Sequence, residues 1–599
     1  MVMLLWLVHL LYFINVQGSA ISNLRTIERE FWDWRLRDAP EFASVAGVNK
    51  YNDRLTSFSL ASFQNRHNKV EEFLTRVKAI DTSTLTPHEH IDYVILKDHL
   101  QTYIDGYSWR LYEPINPINF LEGLHTNPQH FLDTMPYISR GDFENLIERL
   151  EKIPRQLSEY VDLMREAIRL NHTQNKVSVE PVSGQIDKLL VDDPSHSVFY
   201  KPFTHHLDHS HVPHSERYRL RERAKHAITI VLKAFKSLKN FIINEYMHAT
   251  RRSWGVQDWD HGTKNYEACL RWHLSLDVTP REVHDLGLRE VQRIRGEMTQ
   301  AMGRLGYSGS IPDFFGMIRK DPRFHVNSAE TLLRRYDDII YKKAFPKMKT
   351  LFKDIPDLPL KVERMPFNGP GGEYLAGTAD GSRPGVFYVN LQHPEDTATI
   401  DMVALSLHET VPGHHLQSIY ALSTDLPSYR KFQEDDNYYQ TPLKFPLYTA
   451  YLEGWGLYAE YLGEELGLYS DDYELMGRYS SEMFRACRLV VDTGLHYFDW
   501  TQERAIEYML NNTAYSRNDL TTEVNRYMTW PGQACAYKVG ELKLKELRQK
   551  ASTQLGSRFD VKEFHSIVLN NGPVPLRVLE QLIDAWIHKG QGHSIQPIG

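Results

Sequence analysis

Apolar residues recur at three- and four-residue spacing through most of the first 355 positions, the pattern of helices with one buried face. The runs Phe143–Leu170, Ser215–Met247, Pro280–Leu305 and Ala329–Ala344 show it over several turns. Several open on Asp, Ser or Thr-Pro, residues that cap a helix start or tolerate its missing donor. The period changes between 357 and 391. There Leu358–Met365, Glu373–Ala376 and Gly385–Leu391 alternate or carry β-branched and aromatic residues, with Gly and Pro between them. These segments predict a small antiparallel sheet, with Val386-Phe387-Tyr388-Val389-Asn390 as its edge. Beyond the sheet the helical pattern returns and continues to Lys589. No internal repeat or low-complexity tract interrupts it. The expected fold is mainly α, with an N-terminal helical region over 21–355 and a second region over 356–599 that holds the sheet and the later helices.

The start of the chain differs from the rest. Met1 to Val16 is almost wholly apolar and leads to Gln17-Gly18-Ser19-Ala20, small residues suited to cleavage. Residues 1–20 therefore read as a secretory signal peptide, and the protein as secreted or held in the secretory-pathway lumen. The start carries no Lys or Arg, so a single N-terminal membrane anchor is the alternative. No later stretch is long and apolar enough to span a bilayer. The net charge of −8 gives no basic footprint for nucleic acid. Cys269, Cys487 and Cys535 allow at most one disulfide. Sequons at Asn171-His172-Thr173 and Asn511-Asn512-Thr513 fit a secreted glycoprotein. His205, His206, His209, His211 and His214 crowd one segment between Pro202 and Pro213, which reads as a solvated loop although dense imidazoles bind metals.

The chemistry concentrates at Leu407-His408-Glu409-Thr410-Val411-Pro412-Gly413-His414-His415-Leu416-Gln417. Imidazoles hold zinc, and an adjacent carboxylate deprotonates water. In the common H-E-x-x-H form the two His lie about 40° apart and about 6 Å along one helix. Here Pro412 stands where the second His is expected. Pro412 has no N–H, and its ring clashes with the carbonyl four residues back, that of His408. The helix must therefore bulge or break, and Gly413 can take up the dihedrals this requires. Such a break can return His414 to the side of His408. His415 is the alternative second ligand.

A catalytic zinc usually takes three protein ligands. The best third is Glu453 in Tyr451-Leu452-Glu453-Gly454-Trp455-Gly456, with Glu460 on the same helical face as the fallback. Glycines at 454 and 456 fit a helix approached closely by another backbone, here that of the metal helix.

These words resemble the widespread helical family catalogued as domain-of-unknown-function family 885 (DUF885), read as metallopeptidases. The likeness rests on His408-Glu409 through Gly413-His414-His415-Leu416-Gln417, on Glu453-Gly454-Trp455, and on Arg488 through His496. It continues in Pro531-Gly532-Gln533-Ala534, Tyr537-Lys538-Val539-Gly540, Phe564-His565 and Gly572-Pro573-Val574-Pro575-Leu576. It spans nearly the whole mature chain. More distantly the order His-Glu, Gly-His, Glu is similar to the helical gluzincins. The resemblance implies a helical clamshell with a deep central channel, in which an edge strand holds the substrate backbone and Asn390 touches substrate.

The resemblance also suggests Tyr537 as donor to the tetrahedral oxyanion, since helical gluzincins place a Tyr in a late helix for this role. Tyr527 and His496 are the runners-up. Glu409 is the expected general base. Arg488, Arg526 and Lys538 are candidates to hold a substrate carboxylate, and Asp492 to orient a metal ligand. The expected activity is zinc-dependent hydrolysis of peptide bonds in short peptides. The same zinc chemistry would serve an amidase or esterase on a non-peptide bond. An inactive peptide-binding or surface protein that keeps the fold is the third reading, against which the intact Glu409 argues.

Overall fold

Capping boxes set where two of the long helices begin. The computed structural model describes residues 2–591 except 127, 327, 366–370, 393, 395–397 and 433–446, with side chains from residue 20 onward other than that of 130. Helix α1 covers Val2–Asp38, α2 Arg140–Leu170, α3 His214–Asn244 and α4 Pro280–Arg304. Ser139 and Asp142 close a capping box on α2, and Thr279 and Glu282 do so on α4, each satisfying two otherwise orphaned N–H groups. Asn171 ends α2 in the left-handed region at φ 58°. The predicted signal peptide falls in α1, and its side chains before Ala20 lie outside the described residues. Among the described residues, no helix is long and apolar enough to cross a membrane.

The run read as one helix over Ala329–Ala344 is two pieces: α5, Ala329–Asp337, and a wider π-type turn over Asp338–Ala344. The histidine-dense segment is not a plain loop. It holds a π-type turn at Pro202–His206 and a short helical turn at Leu207–His209. Its five imidazoles are solvent-exposed, and that of His206 stacks on Tyr137 at 4.9 Å.

The sheet lies where expected, but its topology differs. Strands β1 (Leu360–Arg364), β2 (Gly372–Leu375) and β3 (Gly385–Val389) stand in the order β1-β3-β2. Strand β3 pairs in parallel with β1, Leu360 opposite Gly385, and antiparallel with β2, Gly372 opposite Val389. The sheet is therefore mixed, not antiparallel, and Val386–Val389 is its centre, not its edge. The reason is burial. Val386, Phe387 and Val389 are buried, with Phe387 edge-on to Tyr336 at 5.6 Å, so this strand needs cover on both sides. Strand β1 instead exposes Lys361, Glu363 and Arg364, charges typical of a protected edge.

The later helices are α6 (Met402–Glu409), α7 (His414–Ser423), α8 (Thr449–Glu465), α9 (Asp472–His496), α10 (Arg517–Thr529) and α11 (Ala536–Leu555). The larger core gathers apolar side chains from Ala20 to Ile587, so elements from both ends of the chain share it. A second core joins α4 to α9 and α10 through Ile294, Met298, Cys487, Val490 and Val524. Leu407 on α6, Leu416 on α7 and Trp455 on α8 are fully buried, and each such side chain contributes on the order of 2 kcal/mol. That packing holds a broken helix pair against α8. All three cysteines are buried free thiols.

Candidate metal centre

The predicted helix break is present. Helix α6 stops at Glu409, the Val411–Pro412 peptide is cis, and α7 restarts at His414. The break is specific to its residues. A Cβ on Gly413 would stand 1.8 Å from the His408 carbonyl oxygen, so only glycine fits the return of the chain. The indole N–H of Trp455 donates to the Pro412 carbonyl at 2.8 Å and ties the turn to α8.

The turn brings His414 beside His408, their rings 4.9 Å apart and nearly perpendicular. Glu453 on α8 faces both. Its Oε2 is 3.6 Å from His408 Nε2 and 3.4 Å from His414 Nε2. Three donors placed tetrahedrally about 2.0–2.2 Å from one zinc lie about 3.3–3.6 Å apart. The two separations from Glu453 match that ion, and the three ligand atoms all lie within 4.8 Å of one another. Among the described residues this is the one set of His, Cys, Asp or Glu side chains that could hold a metal. The His408 side chain is 3 % exposed, His414 18 % and Glu453 20 %, so the group is mostly buried but not sealed from solvent.

Behind it, His408 Nδ1 meets Glu460 Oε1 at 2.8 Å, both side chains buried. Glu460 is therefore the carboxylate that orients His408 and leaves Nε2 facing Glu453, the usual support for a metal-bound imidazole. Arg485 Nη2 stands 3.7 Å from the same oxygen. A Cβ on Gly456 would meet the His408 ring at 2.7 Å, so this glycine admits the imidazole. Gly454 serves a different neighbour. Its Cβ would strike the Gly540 backbone at 2.4 Å, so it lets α8 approach α11 rather than the metal helix.

Charge is tightly coupled here. Burial would lower the pKa of His408, but its bonds to Glu453 and Glu460 outweigh it and lift the value to about 9. Burial would raise Glu453, but the two imidazoles hold it well below the usual carboxylate range. Burial raises Glu409, and His408 and His414 oppose the rise. Glu373 on β2 is pushed up to about 7, first by burial and then by Glu409, so the sheet abuts the same site.

Tyr537 on α11 lies over the His408 ring, centroids 6.3 Å apart. Its hydroxyl oxygen accepts from Arg526 Nη2 at 3.1 Å and from Gln533 Nε2 at 3.4 Å. Both bonds use the oxygen as acceptor, which leaves its proton to donate elsewhere. Tyr527 is differently placed. Its oxygen accepts from Arg488 Nε at 3.1 Å. Against burial, its hydroxyl helps hold the Glu523 carboxyl below the usual carboxylate range, after Arg488 and Arg526. The Arg488 guanidinium sits 4.5 Å over the Tyr537 ring.

Other expected residues lie apart from this group. His415 turns away, its Nδ1 3.1 Å from the Tyr374 hydroxyl, and burial lowers its pKa to about 4. His496 is fully buried and stacked on Tyr266. Its Nδ1 accepts the Val256 N–H and its Nε2 donates to the Tyr527 carbonyl, so both nitrogens are committed to backbone. Lys538 is buried with Nζ 2.5 Å from Glu541, 2.6 Å from Glu482 and 3.1 Å from Glu290. Asn390 follows β3, its N–H on the Gly371 carbonyl and its side chain accepting the Gln392 N–H. Asp492 orients no metal ligand. Its carboxyl accepts from the Tyr266 hydroxyl and the Gly532 N–H, holding the turn that launches α11.

The motif words did not mark Glu373, Arg485 or Glu523, and they quoted Gln533 without giving it a role. For Gln533 a clue existed in its place four residues before Tyr537, one helical turn. The others come together only through the tertiary fold.

Residues 40–583 match the family described as "Bacterial protein of unknown function (DUF885)". Among solved structures, one described as "the putative lipoprotein from Colwellia psychrerythraea" is 25% identical. It superposes with a TM-score of 0.87 over 96% of this chain and 99% of that chain. Another, described as "a putative lipoprotein of unknown function from Shewanella oneidensis", is 17% identical, with a TM-score of 0.69 over 94% of this chain and 99% of that chain, and shows the shared fold. No curated protein matches the chain.

Proposed function

The chain belongs to DUF885, and from its His408–His414–Glu453 group we propose that it is a zinc-dependent hydrolase of peptide bonds in short peptides. The observation that carries the reading is the gathering of those three donors within 4.8 Å of one another, with the Glu453 separations matching a tetrahedral ion and Glu409 directly following His408. Zinc bound there supplies Lewis acidity to the scissile carbonyl and makes water a nucleophile near neutral pH. Every other role falls to the chain. Glu409 takes the proton of the attacking water on a carboxylate oxygen and hands it to the departing amine. Tyr537 donates its free hydroxyl proton to the tetrahedral oxyanion, while Arg526 and Gln533 fix its oxygen. Tyr527, whose oxygen accepts from Arg488 Nε, supports that arginine instead. Glu460 holds the His408 tautomer. The apolar Met1–Val16 and the lipoprotein description of the similar Colwellia psychrerythraea structure support a location outside the cytoplasm.

The test pairs metal content with activity. The wild type is expected to carry about one zinc per chain and to cut a mixed library of short peptides. Glu409→Gln is expected to keep the zinc and cut none. Zinc-free wild type, or a Glu409→Gln variant as active as wild type, refutes the reading.

A further inference from the structure

Two arginines near Tyr537 carry more positive charge than their surroundings balance. Arg488 is 4% exposed and Arg526 18%. They share one carboxylate: Arg488 Nη2 lies 3.1 Å from Glu523 Oε2, and Arg526 Nη1 lies 3.8 Å from Glu523 Oε1. Among the described residues neither has a second acidic partner within ion-pair distance. Asp492, an acid that also acts on Arg488, is bonded to Tyr266 and Gly532. Arg488 Nη1 and Arg526 Nε are buried and bond no protein acceptor. An ionised donor left unsatisfied in the interior is costly, and planar guanidinium edges match the two oxygens of a carboxylate.

The place of this surplus charge defines its guest. Arg526 donates to the Tyr537 hydroxyl, Arg488 covers the Tyr537 ring, and that ring faces His408. One peptide residue advances the chain by about 3.8 Å. An anion on these arginines therefore sits one or two residues beyond a carbonyl held at Tyr537. We propose that Arg488 and Arg526 form the subsite for the C-terminal carboxylate of a substrate peptide, so that the protein trims short peptides from their C-terminal end. The proposal rests on the peptidase reading for its reaction but not for its ligand. Lys538 is not part of the subsite, because three carboxylates already surround it.

The experiment uses peptide pairs identical except for a free or amidated C-terminus. With zinc-loaded wild type, the free acid is expected to be cut at least about tenfold faster, the scale of a lost charged hydrogen bond, releasing one or two C-terminal residues. With inactive Glu409→Gln, the free acid is expected to bind at least about tenfold tighter than the amide. Arg488→Gln and Arg526→Gln should each erode the acid preference more than they weaken binding of the amide. Equal handling of acid and amide by wild type overturns the proposal even if no arginine variant folds, and so do cuts confined to the interior or the N-terminal end. If wild type cuts nothing, the peptidase reading falls alone. The binding comparison in Glu409→Gln then decides the subsite, with an acid preference supporting it and equal affinity ending it.

Discussion

Replacing Glu460 by Gln tests whether the His408–Glu460 pair supports a metal ligand. The exchange keeps the volume and an acceptor oxygen beside His408 Nδ1, 2.8 Å away in the native pair, but removes the charge. A hydrogen bond to a charged group contributes about 1.5–3 kcal/mol and a neutral one about 0.5–1.5, a difference of roughly 1–1.5 kcal/mol. That is roughly tenfold in affinity, the lower end of what such supporting groups usually contribute. Arg485, 3.7 Å from the lost charge, adds repulsion toward a cation. Protons act in the opposite direction. The His408 pKa is raised to about 9 in the protein without metal, so zinc must displace a proton from it below that pH. Removing Glu460 lowers that pKa and eases the competition. The loss of zinc affinity should therefore be about tenfold near pH 9 and smaller near pH 7, and wild-type affinity should climb more steeply between those values. Competition against a fluorescent chelator across this range measures both, with melting of the metal-free forms as the control for folding. Equal affinities near pH 9 together with equal slopes would refute the orienting role.

Two further substitutions separate the site from its scaffold. Gly456→Ala puts a methyl 2.7 Å from His408 Nε2 while improving helix propensity by about 1 kcal/mol. Zinc stoichiometry should fall with little loss in melting temperature, and a variant with full zinc would show that the ring moves freely. Lys538→Met removes the one fully buried cation from Glu290, Glu482 and Glu541. Those carboxylates keep Arg293, Arg478 and Lys545 beside them, so the loss should be measurable but below the about 3–5 kcal/mol of a buried charge left with no partner. Denaturant unfolding reads that loss, and a stable variant with a weakened acid-over-amide preference would return Lys538 to substrate binding.

Much of the fold was legible because its causes are local. Thr279-Pro280 announces a helix start through the chemistry of the first turn, and α4 begins there, whereas α2 begins at Arg140, before the expected Phe143, because Ser139 and Asp142 cap it. Pro412 and Gly413 announce a break because one lacks a donor and the other lacks a Cβ, and the chain breaks between Glu409 and His414. Strand order was not local. The alternating segments marked the sheet, but the centre was decided by which strand buries Phe387 and Val389 under other elements, and the same apolar residues also suit an edge prepared for a substrate. The wider turn at Asp338–Ala344 left no mark in a periodicity that suits a helix equally well.

The site divides along the same line. His408, His414 and Glu453 were legible because metal ligation needs particular side chains at spacings a broken helix can close. The cations were not, because the role of a buried cation depends on how many acids the fold brings within reach. Lys538, Arg488 and Arg526 all lie near Tyr537 in sequence or space, and all were equal candidates for a substrate carboxylate. Helix α4 supplies Glu290, α9 supplies Glu482 and α11 supplies Glu541, and together they neutralise Lys538. One carboxylate, Glu523 of α10, serves both arginines. A cation surrounded by acids is part of the scaffold, here a network in which Arg293, Arg478 and Lys545 pair with the same carboxylates. A buried cation with donors left over is incomplete without a guest, and a guest of opposite charge restores the balance that folding left open.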